Sequence, residues 1–470
     1  MSLGNLIAPA TTCSGPARRH VLQVGALGAL GLTLPDLWRG LAAQAANSPA
    51  RAGQAKRCLI FFLCGGPSQH DTWDPKPDAP AEVRSIFGPI RTSVTGLTVG
   101  GLMPRVARLA HHCCILRSVT TGDHSHASSV YQVFTGYLHQ PANTETVRLG
   151  APNDRPHFAS ALRHLIERGN PSGLPAFITL PEIMSGNDFA VPNGQFAGNL
   201  GRRCDPWVLT CDPAAPKGVQ PALGISEDIA PERLAGRRSL LDRLDRAAGS
   251  LDQPGVSGEY REHAGRAFDL LRSASVGQAF ALDRESPTLR DRYGRHKMGQ
   301  SVLLARRLLE SGVPLVQVNW PREPNDRQTN NPLWDTHSNH NARMKDVLMP
   351  QMDQTFSALL EDLADRGMLD ETLVVWLGEF GRTPRFNGSG GRDHWGGCFS
   401  VALAGGGVRG GVVLGASDRI GAYPHDNPIA PRDVCATICH ALGFDPSTEV
   451  HDVERRPHPL SRGEVLRGVF

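Results

Sequence analysis

Six short apolar segments, separated by stretches of helical periodicity, constrain the fold of this chain more than any other feature of its sequence. Each segment is bounded by Gly, Pro or polar residues, as buried strands are. Strands that are apolar throughout are typical of a parallel sheet with helices on both faces. The sequence therefore predicts an α/β fold with a largely parallel central sheet covered by helices on both faces. The predicted strands are 58–63, 113–119, 176–180, 315–319, 373–377 and 399–404.

The N-terminal residues have the order of an export signal. Arg18 and Arg19 precede an uncharged run at 21–34, and small residues, Ala43 and Ala45, stand at −3 and −1 of a plausible cut before Ala46. A membrane anchor is the alternative, but a span needs about 20 apolar residues, and this run is shorter and contains three glycines. Paired arginines indicate the route that carries folded proteins. We therefore predict a cleavable signal at 1–45, recognised by the twin-arginine export machinery, and a periplasmic or extracellular protein.

The charge of the chain excludes some classes of partner. The formal net charge is +3, and three arginines against one aspartate give the predicted signal +2, which leaves +1 for the rest. A nearly neutral chain lacks the basic surface that binds nucleic acid or anionic membranes. No stretch after the signal is apolar enough to span a membrane. The sequence predicts no nucleic-acid partner and no membrane span in the mature chain.

Residues 46–470 are predicted to form one α/β domain. The stretch from about 226 to 295 is Arg-rich, helical in pattern and without strands, so we interpret it as a helical insertion. No pair of cysteines has the CxxC spacing of a zinc site. Cys204 and Cys211 flank a loop and could form a disulfide in an oxidising compartment, a point that the sequence leaves open.

Polar clusters stand mainly at the ends of the predicted strands. Because ligands bind beyond the carboxyl ends of strands in open parallel sheets, we expect these clusters to lie close together. A lone Asp-x-His is more often a hydrogen-bonded loop pair than a ligand, but five clusters at one edge favour a site. They contain His70 and Asp71, Asp123 to His126, Asp335 and His337, Glu379, and Asp393 and His394.

Alternating imidazoles and carboxylates are the ligands that divalent cations prefer. Mixed nitrogen and oxygen ligands suit zinc, manganese or iron, whereas carboxylates alone favour calcium or magnesium. Two such ions about 4 Å apart can activate a nucleophile and hold the leaving oxygen of a phosphate or sulfate ester. Arg382 and Arg392 could clamp the anion in bidentate fashion, although Arg382 is equally explained by a structural ion pair. Glu379 has a second interpretation as the cap of the next turn.

Several long motifs resemble DUF1501, a family of exported proteins of unknown function that is commonly labelled sulfatase-like and placed in the alkaline phosphatase superfamily. The resemblance covers nearly the whole chain in the expected order. It implies an alkaline phosphatase-like fold. The matching motifs are 17–22 (ARRHVL), 65–76 (GGPSQHDTWDPK), 334–337 (WDTH), 378–384 (GEFGRTP) and 391–395 (GRDHW).

The resemblance also implies roles for individual residues. The nucleophile of the superfamily begins a helix that ends in Thr-Gly, and the similar segment here offers Ser125, Ser128 and His126, unless a metal-bound water attacks instead. Asp393 would orient His394 from outside the ligand set. Arg382 and Arg392 would stabilise the charge that develops in the transition state. The implied metal ligands are His70, Asp71, Asp335, His337, Glu379 and His394.

The sequence departs from the superfamily at two positions. The first strand ends in Cys64-Gly65-Gly66 instead of a metal-binding Asp, and Phe380 stands where a His ligand is expected. The formylglycine signature Cys-x-Pro-x-Arg does not occur in the mature chain, which argues against a formylglycine sulfatase.

Two hypotheses of function follow. The first is an exported hydrolase of sulfate or phosphate esters that uses one or two divalent ions (zinc, manganese or calcium) and acts on a small-molecule or glycan ester. The second is a catalytically silent protein of the same fold that binds sulfated or phosphorylated glycans.

Overall fold

A single large sheet organises the fold. The computed structural model describes residues 55–147, 150–167, 174–215, 231–248, 274–324, 326–329 and 331–470, and the predicted signal at 1–45 lies outside them. In these residues the strands are β1 (Arg57–Phe62), β2 (Pro89–Arg91), β3 (Thr98–Gly100), β4 (Cys113–Val119), β5 (Phe177–Leu180), β6 (Trp207–Val208), β7 (Leu315–Asn319), β8 (Thr372–Leu377), β9 (Gly381–Arg382), β10 (His394–Trp395), β11 (Phe399–Ala404), β12 (Val412–Leu414), β13 (Ala416–Ser417), β14 (Pro424–Asp426), β15 (Glu449–His451) and β16 (Pro457–Pro459).

The central sheet has eight strands in the order β12-β4-β11-β8-β1-β7-β5-β6. Only β11 runs antiparallel to its neighbours β4 and β8, and the other five pairs are parallel. All six predicted strands lie in this sheet. The predicted α/β class with a largely parallel sheet is therefore confirmed.

Helices surround the sheet and bury it. All six residues of β8 are buried, and because consecutive side chains in a strand point to opposite faces, both faces are covered. The helices are α1 (Pro104–Arg108), α2 (His126–Thr135), α3 (Phe158–Ile166), α4 (Pro231–Ala248), α5 (Ala274–Phe280), α6 (Pro287–Tyr293), α7 (Lys297–Glu310), α8 (His340–Arg343), α9 (Met349–Asp365) and α10 (Pro431–Ala441).

The core is tied together by aromatic side chains from different elements. Trp376 of β8 lies edge-on to Trp73, with ring centroids 5.5 Å apart, and Phe61 of β1 lies edge-on to Phe356 of α9 at 5.4 Å. Each such pair contributes about 0.5–1.5 kcal/mol beyond the area that it buries. These contacts fix the loop that contains Trp73 against the sheet.

Two long helices follow the predicted periodicity. The pattern at 298–309 falls inside α7, which packs on β1 and β7. The pattern at 344–363 begins with a π-helical turn, Met344–Leu348, that continues into α9. The extra residue of a π-turn shifts the helical register, so the predicted single helix is two joined segments.

The predicted insertion at about 226–295 is described only in part. Its described segments are mainly helical and include α4, α5 and α6, while 226–230 and 249–273 lie outside the described residues. Cys204 and Cys211 are free thiols, and the Cys204 Sγ lies 3.4 Å from the His164 Nδ1.

Among the described helices, none has the length and apolar character needed to cross a bilayer.

The buried His157 predicts a loss of stability in acid. Its Nδ1 accepts the N–H of Ala159 at the start of α3, and its Nε2 lies 3.0 Å from the Gln317 Oε1. Burial lowers the pKa of His157 to about 3. In the unfolded chain His157 binds a proton below about pH 6.5, whereas in the folded chain it does so only near pH 3. The contribution of His157 to stability is therefore complete above about pH 6.5 and is lost as the pH falls toward 3. Urea unfolding should show a slope of roughly 1.4 kcal/mol per pH unit from this group.

The variant His157→Asn tests this assignment. Asparagine keeps an oxygen that can cap α3 but does not titrate. We expect lower stability at pH 7 and a shallower decline between pH 6.5 and 4 than in the wild type. An unchanged slope would show that His157 does not contribute to the acid sensitivity.

Candidate metal centre

The polar residues that follow the strands meet at one edge of the central sheet. His126 is the first residue of α2, after β4, and Asp335 lies in the loop that follows β7. Glu379 follows β8, and His394 begins the short strand β10, which pairs with β9. Parallel strands bring these loops together, as the sequence predicted.

Three of these residues form a group that can hold a metal ion, which we call the HDH cluster (His126, Asp335 and His394). One ligand atom from each lies within 4.8 Å of the other two. The Asp335 Oδ1 is 3.0 Å from the His394 Nε2, and the Asp335 Oδ2 is 3.3 Å from the His126 Nε2. The cluster is half-buried, so its ligand atoms are accessible from one side.

Two further predicted ligands adjoin the HDH cluster. The His337 Nε2 lies 2.8 Å from the Asp335 Oδ1 and 3.0 Å from the His394 Nε2. The Glu379 Oε1 lies 2.7 Å from the His126 Nδ1 and accepts the N–H of Gly65 at 2.8 Å. The other carboxylate oxygen of Glu379, Oε2, is buried without a hydrogen-bond partner.

Hydrogen bonds orient the imidazoles of His126, His337 and His394 in the same way. The Nδ1 of His126 faces Glu379, that of His337 faces the Asp393 Oδ1 at 2.8 Å, and that of His394 faces the carbonyl oxygen of His124 at 2.8 Å. With a cation bound, each Nδ1 would donate to its acceptor, and the three Nε2 atoms would present lone pairs to an ion beside Asp335. Neutral imidazoles held in this way are the usual form of metal ligands. The residues therefore fit a divalent cation.

The electrostatics of the cluster agree with this fit. Although burial lowers it, the carboxylates of Asp335 and Glu379 raise the pKa of His126 to about 10. Burial lowers the pKa of His394 to about 4. Although burial opposes it, the Arg382 guanidinium helps to hold the pKa of Asp335 well below its usual value. Asp335 is thus ionised and His394 neutral at neutral pH. Without a cation His126 is protonated beside Asp335, and binding of a cation would release this proton.

Phe380 fixes the planes of two imidazoles. Its ring centroid lies 4.9 Å from that of His126 and 4.7 Å from that of His394. Gly66 approaches this ring so closely that a Cβ there would lie 2.4 Å from it. The packing restricts the rotation of both ligands.

Asp393 contacts a different residue from the predicted one. The resemblance implies that it orients His394, but its carboxylate hydrogen-bonds His337, and the amide of Asn387 donates to the same oxygen at 3.0 Å. The carbonyl oxygen of His124 orients His394 instead. A backbone oxygen can do this for any residue type, so the sequence contains no signal for it.

The two predicted anion-clamping arginines are already occupied. Arg382 is fully buried and donates to the carbonyl oxygens of Gly65, Gly66 and Arg392 and to the Asp335 Oδ1. Arg392 donates to the carbonyl oxygens of Thr383, Pro384 and Val83. A guanidinium has five donors, and these contacts take up most of them. Both side chains have the environment of structural residues, which for Arg382 agrees with the alternative of a structural ion pair, and the anion clamp stays a prediction.

His70 and Asp71 are not brought to the HDH cluster. Asp71 is fully buried, and its Oδ2 lies 2.9 Å from the His340 Nε2 and 2.7 Å from the Ser68 Oγ. The His70 Nε2 lies 2.8 Å from the carbonyl oxygen of Ile420. The His340 Nδ1 in turn lies 2.7 Å from the Thr336 Oγ1. Asp71 and His340 therefore hold Thr336, the neighbour of Asp335, in position.

The two candidate serines differ in their surroundings. Ser128 is fully buried, donates to the Asp123 Oδ1 at 2.7 Å and accepts the N–H of Thr144 at 3.1 Å. Ser125 is half-buried at the N-cap of α2 and makes no capping hydrogen bond with its side chain. Ser125 is thus the more exposed of the two serines. It directly precedes His126 in the chain.

A cleft of about 310 Å³ opens from the cluster, with Gly65, His126 and Asp335 on one wall. Its other lining residues come mainly from loops without a motif, so they were not predicted from the sequence. Glu145 accepts the N–H groups of His126 and Ala127 at 2.7 and 3.3 Å and so caps α2. The lining also contains Met184 to Asp188, Arg322 and Leu333.

Comparisons with known proteins identify the family. A family model described as "Protein of unknown function (DUF1501)" matches residues 55–470. The chain belongs to this family, which confirms the predicted resemblance. No curated protein is significantly similar to the chain in sequence.

Solved structures that resemble the chain include ester hydrolases. Ps i-CgsB is 10% identical with a TM-score of 0.37, over 83% of this chain and 72% of that chain. The PsFucS1 sulfatase from Pseudoalteromonas sp. is 14% identical with a TM-score of 0.33, over 88% and 72%. The phosphonate monoester hydrolase of Agrobacterium radiobacter is 12% identical with a TM-score of 0.34, over 88% and 77%.

Proposed function

We propose that this chain is an exported, metal-dependent hydrolase of sulfate or phosphate esters. The observation that carries the proposal is the convergence of three oriented imidazoles on the Asp335 carboxylate at the mouth of a cleft. Mixed imidazole and carboxylate ligands favour zinc or manganese over calcium. Export by the twin-arginine route is part of the proposal and rests on the sequence of residues 1–45.

Different residues of the proposed site bind the metal, orient the ligands and attack the ester. A divalent ion held by the HDH cluster, with His337 or Glu379 as an additional ligand, would supply Lewis-acid chemistry to the ester. Glu379 and Asp393 hold His126 and His337 in their ligand orientation. The Ser125 hydroxyl is the candidate nucleophile that the geometry favours over Ser128, and a water molecule is the alternative.

One observation favours the second hypothesis, a binding protein without turnover. The donors of Arg382 and Arg392 are directed at backbone carbonyl oxygens and carboxylates instead of at the cleft. An enzyme of this kind needs positive charge to stabilise the transition state, and here that charge would have to come from the metal ion and from other residues of the cleft, such as Arg322.

Removal of the metal tests the proposed function. We expect the purified protein to contain zinc or manganese, and a chelator to abolish turnover of aryl sulfate or aryl phosphate esters and lower the melting temperature. Added metal should restore both. The variant His394→Ala should lose metal and turnover, while the exposed His425→Ala should behave as the wild type.

The outcomes separate the two hypotheses. Bound metal with saturable ester binding and no turnover on either ester class would establish the binding protein. A protein that binds no divalent ion, and whose melting temperature none raises, would overturn both the metal centre and the proposed hydrolase.

A further inference from the structure

The cleft beside the HDH cluster carries more negative than positive charge. Among the described residues that line it are three carboxylates, from Glu145, Asp188 and Asp335, and one guanidinium, from Arg322. These groups leave a net charge of −2, which a divalent ion at the HDH cluster would only neutralise. An ester anion that enters the cleft therefore meets no surplus of positive charge.

The buried arginines behind the lining do not change this balance. Arg382 and Glu379 are both fully buried against the HDH cluster, and their opposite charges cancel. Arg392 lies 3.8 Å from the equally buried carboxylate of Asp71, which offsets its charge. The charge that an ester anion meets is therefore set by the residues of the cleft itself.

Glu145 places one of these negative charges beside two of the metal ligands. Its Oε1 accepts the N–H of His126 at 2.7 Å and lies 4.0 Å from the His394 Nδ1, and its Oε2 accepts the N–H of Ala127 at 3.3 Å. The N–H groups at the start of a helix attract anions, and here the Glu145 carboxylate occupies them. Because this side chain lines the cleft and is 55% exposed, its charge faces an entering ligand.

The segment that ends at Glu145 is fixed along α2. The N–H of Asn143 donates to the Asp123 Oδ2 at 2.9 Å, and the N–H of Thr144 donates to the Ser128 Oγ at 3.1 Å. Asp123 and Ser128 are themselves joined by a hydrogen bond of 2.7 Å. The Glu145 carboxylate is therefore held at the start of α2 by its neighbours in the chain as well as by its own contacts.

We propose that Glu145 is a specificity-determining residue that favours monoanionic esters, such as sulfate monoesters, over dianionic phosphate monoesters. This inference rests on the proposed hydrolase and deepens it, because it chooses between the two ester classes. A sulfate monoester carries a single negative charge, whereas a phosphate monoester carries about two above about pH 7. Coulomb repulsion is proportional to the charge of the ligand, so Glu145 weakens the binding of the dianion more. Glu145 takes no part in bond breaking.

The variant Glu145→Gln tests the proposal, because its amide oxygen can still accept the N–H of His126 while the charge is lost. At about pH 8 and low ionic strength, where screening is weak, we expect the KM for 4-nitrophenyl sulfate to fall roughly three-fold and that for 4-nitrophenyl phosphate roughly ten-fold. The phosphate-to-sulfate ratio of KM should thus fall roughly three-fold. Glu145→Asp keeps the charge and should keep the wild-type ratio. Glu464→Gln, at an exposed residue that does not line the cleft, should also keep it.

The failure of this inference differs from the failure of the proposed function. Turnover with the same phosphate-to-sulfate ratio of KM in Glu145→Gln and the wild type would overturn the inference and leave the hydrolase intact. A ratio that falls equally in Glu145→Asp would also overturn it, since the shape of the side chain and not its charge would be responsible. If neither ester is turned over, isothermal titration of the metal-loaded protein with the same two esters decides the matter. A ratio of Kd values that falls in Glu145→Gln would support the inference, and an unchanged ratio or no binding would refute it.

Discussion

Replacing Asp335 by asparagine is expected to reduce divalent-metal affinity by more than about 100-fold, since even residues outside the ligand set change it by 10–100-fold. The Asp335 Oδ1 lies within 3.0 Å of three nitrogens, from Arg382, His337 and His394. An amide has the same shape but no charge, so it cannot balance a cation held by imidazoles. Isothermal titration with zinc or manganese measures the loss, and turnover should fall with it.

The same substitution also leaves a buried guanidinium without its carboxylate. Breaking such a pair typically destabilises a protein by about 3–5 kcal/mol, so stability must be measured beside metal binding. His394→Ala provides the comparison, because burial lowers the pKa of His394 to about 4 and its removal leaves no unpaired charge. Metal affinity should fall in both variants, and stability without metal should fall strongly only in Asp335→Asn. Wild-type affinity in Asp335→Asn would rule out the proposed ligand set.

The second large effect is expected at Arg382, and it should be a loss of stability. Arg382→Met removes four hydrogen bonds at once and leaves Asp335 without its cation. We expect a fall of at least about 3–5 kcal/mol in the free energy of unfolding, measured with urea. Arg382→Lys should be nearly as damaging, because an ammonium cannot reproduce the guanidinium fork.

A nearby arginine gives the matched control. Arg385 is exposed and pairs with Glu82 at 2.9 Å on the surface. Surface pairs contribute about 0–1 kcal/mol, so Arg385→Met should unfold almost as the wild type does. If Arg382→Lys has wild-type stability and loses only turnover, the predicted anion clamp would be right and the structural role wrong.

The strands of the central sheet were predictable because each is a continuous apolar run buried on both faces. β6 and β12 were missed for a physical reason. They lie at the two edges of the sheet and are only half-buried, so burial imposes no strong pattern on their two or three residues. The π-turn before α9 was missed because one extra residue hardly changes the helical periodicity of the apolar positions.

The candidate site was predictable where side chains lie in loops next to the ends of strands. Asp335, His337, Glu379 and His394 meet because the sheet places the loops that contain them at one edge. The same argument fails at the end of β1. Gly65 and Gly66 both have positive φ there, and the backbone of Gly65 packs so closely on Asp335 that a Cβ would lie 2.7 Å from its nitrogen. The chain turns away from the HDH cluster at these glycines, so His70 and Asp71 lie in the interior.

Contacts with backbone atoms explain most of the remaining differences between the predicted site and the observed one. The carbonyl oxygens that occupy Arg382, and the carbonyl of His124 that orients His394, exist at every residue and have no sequence signal. Glu145 and residues 184–188 reach the cleft from loops whose course depends on tertiary packing.

X-ray absorption spectroscopy of the zinc-loaded protein tests the central claim, a metal ion held by the HDH cluster. The account predicts one shell of nitrogen and oxygen ligands at about 2.0–2.2 Å with multiple scattering from at least two imidazoles. In His394→Ala the imidazole contribution should decrease. A sulfur shell at about 2.3 Å, or an imidazole contribution that is the same in His394→Ala, would contradict the account.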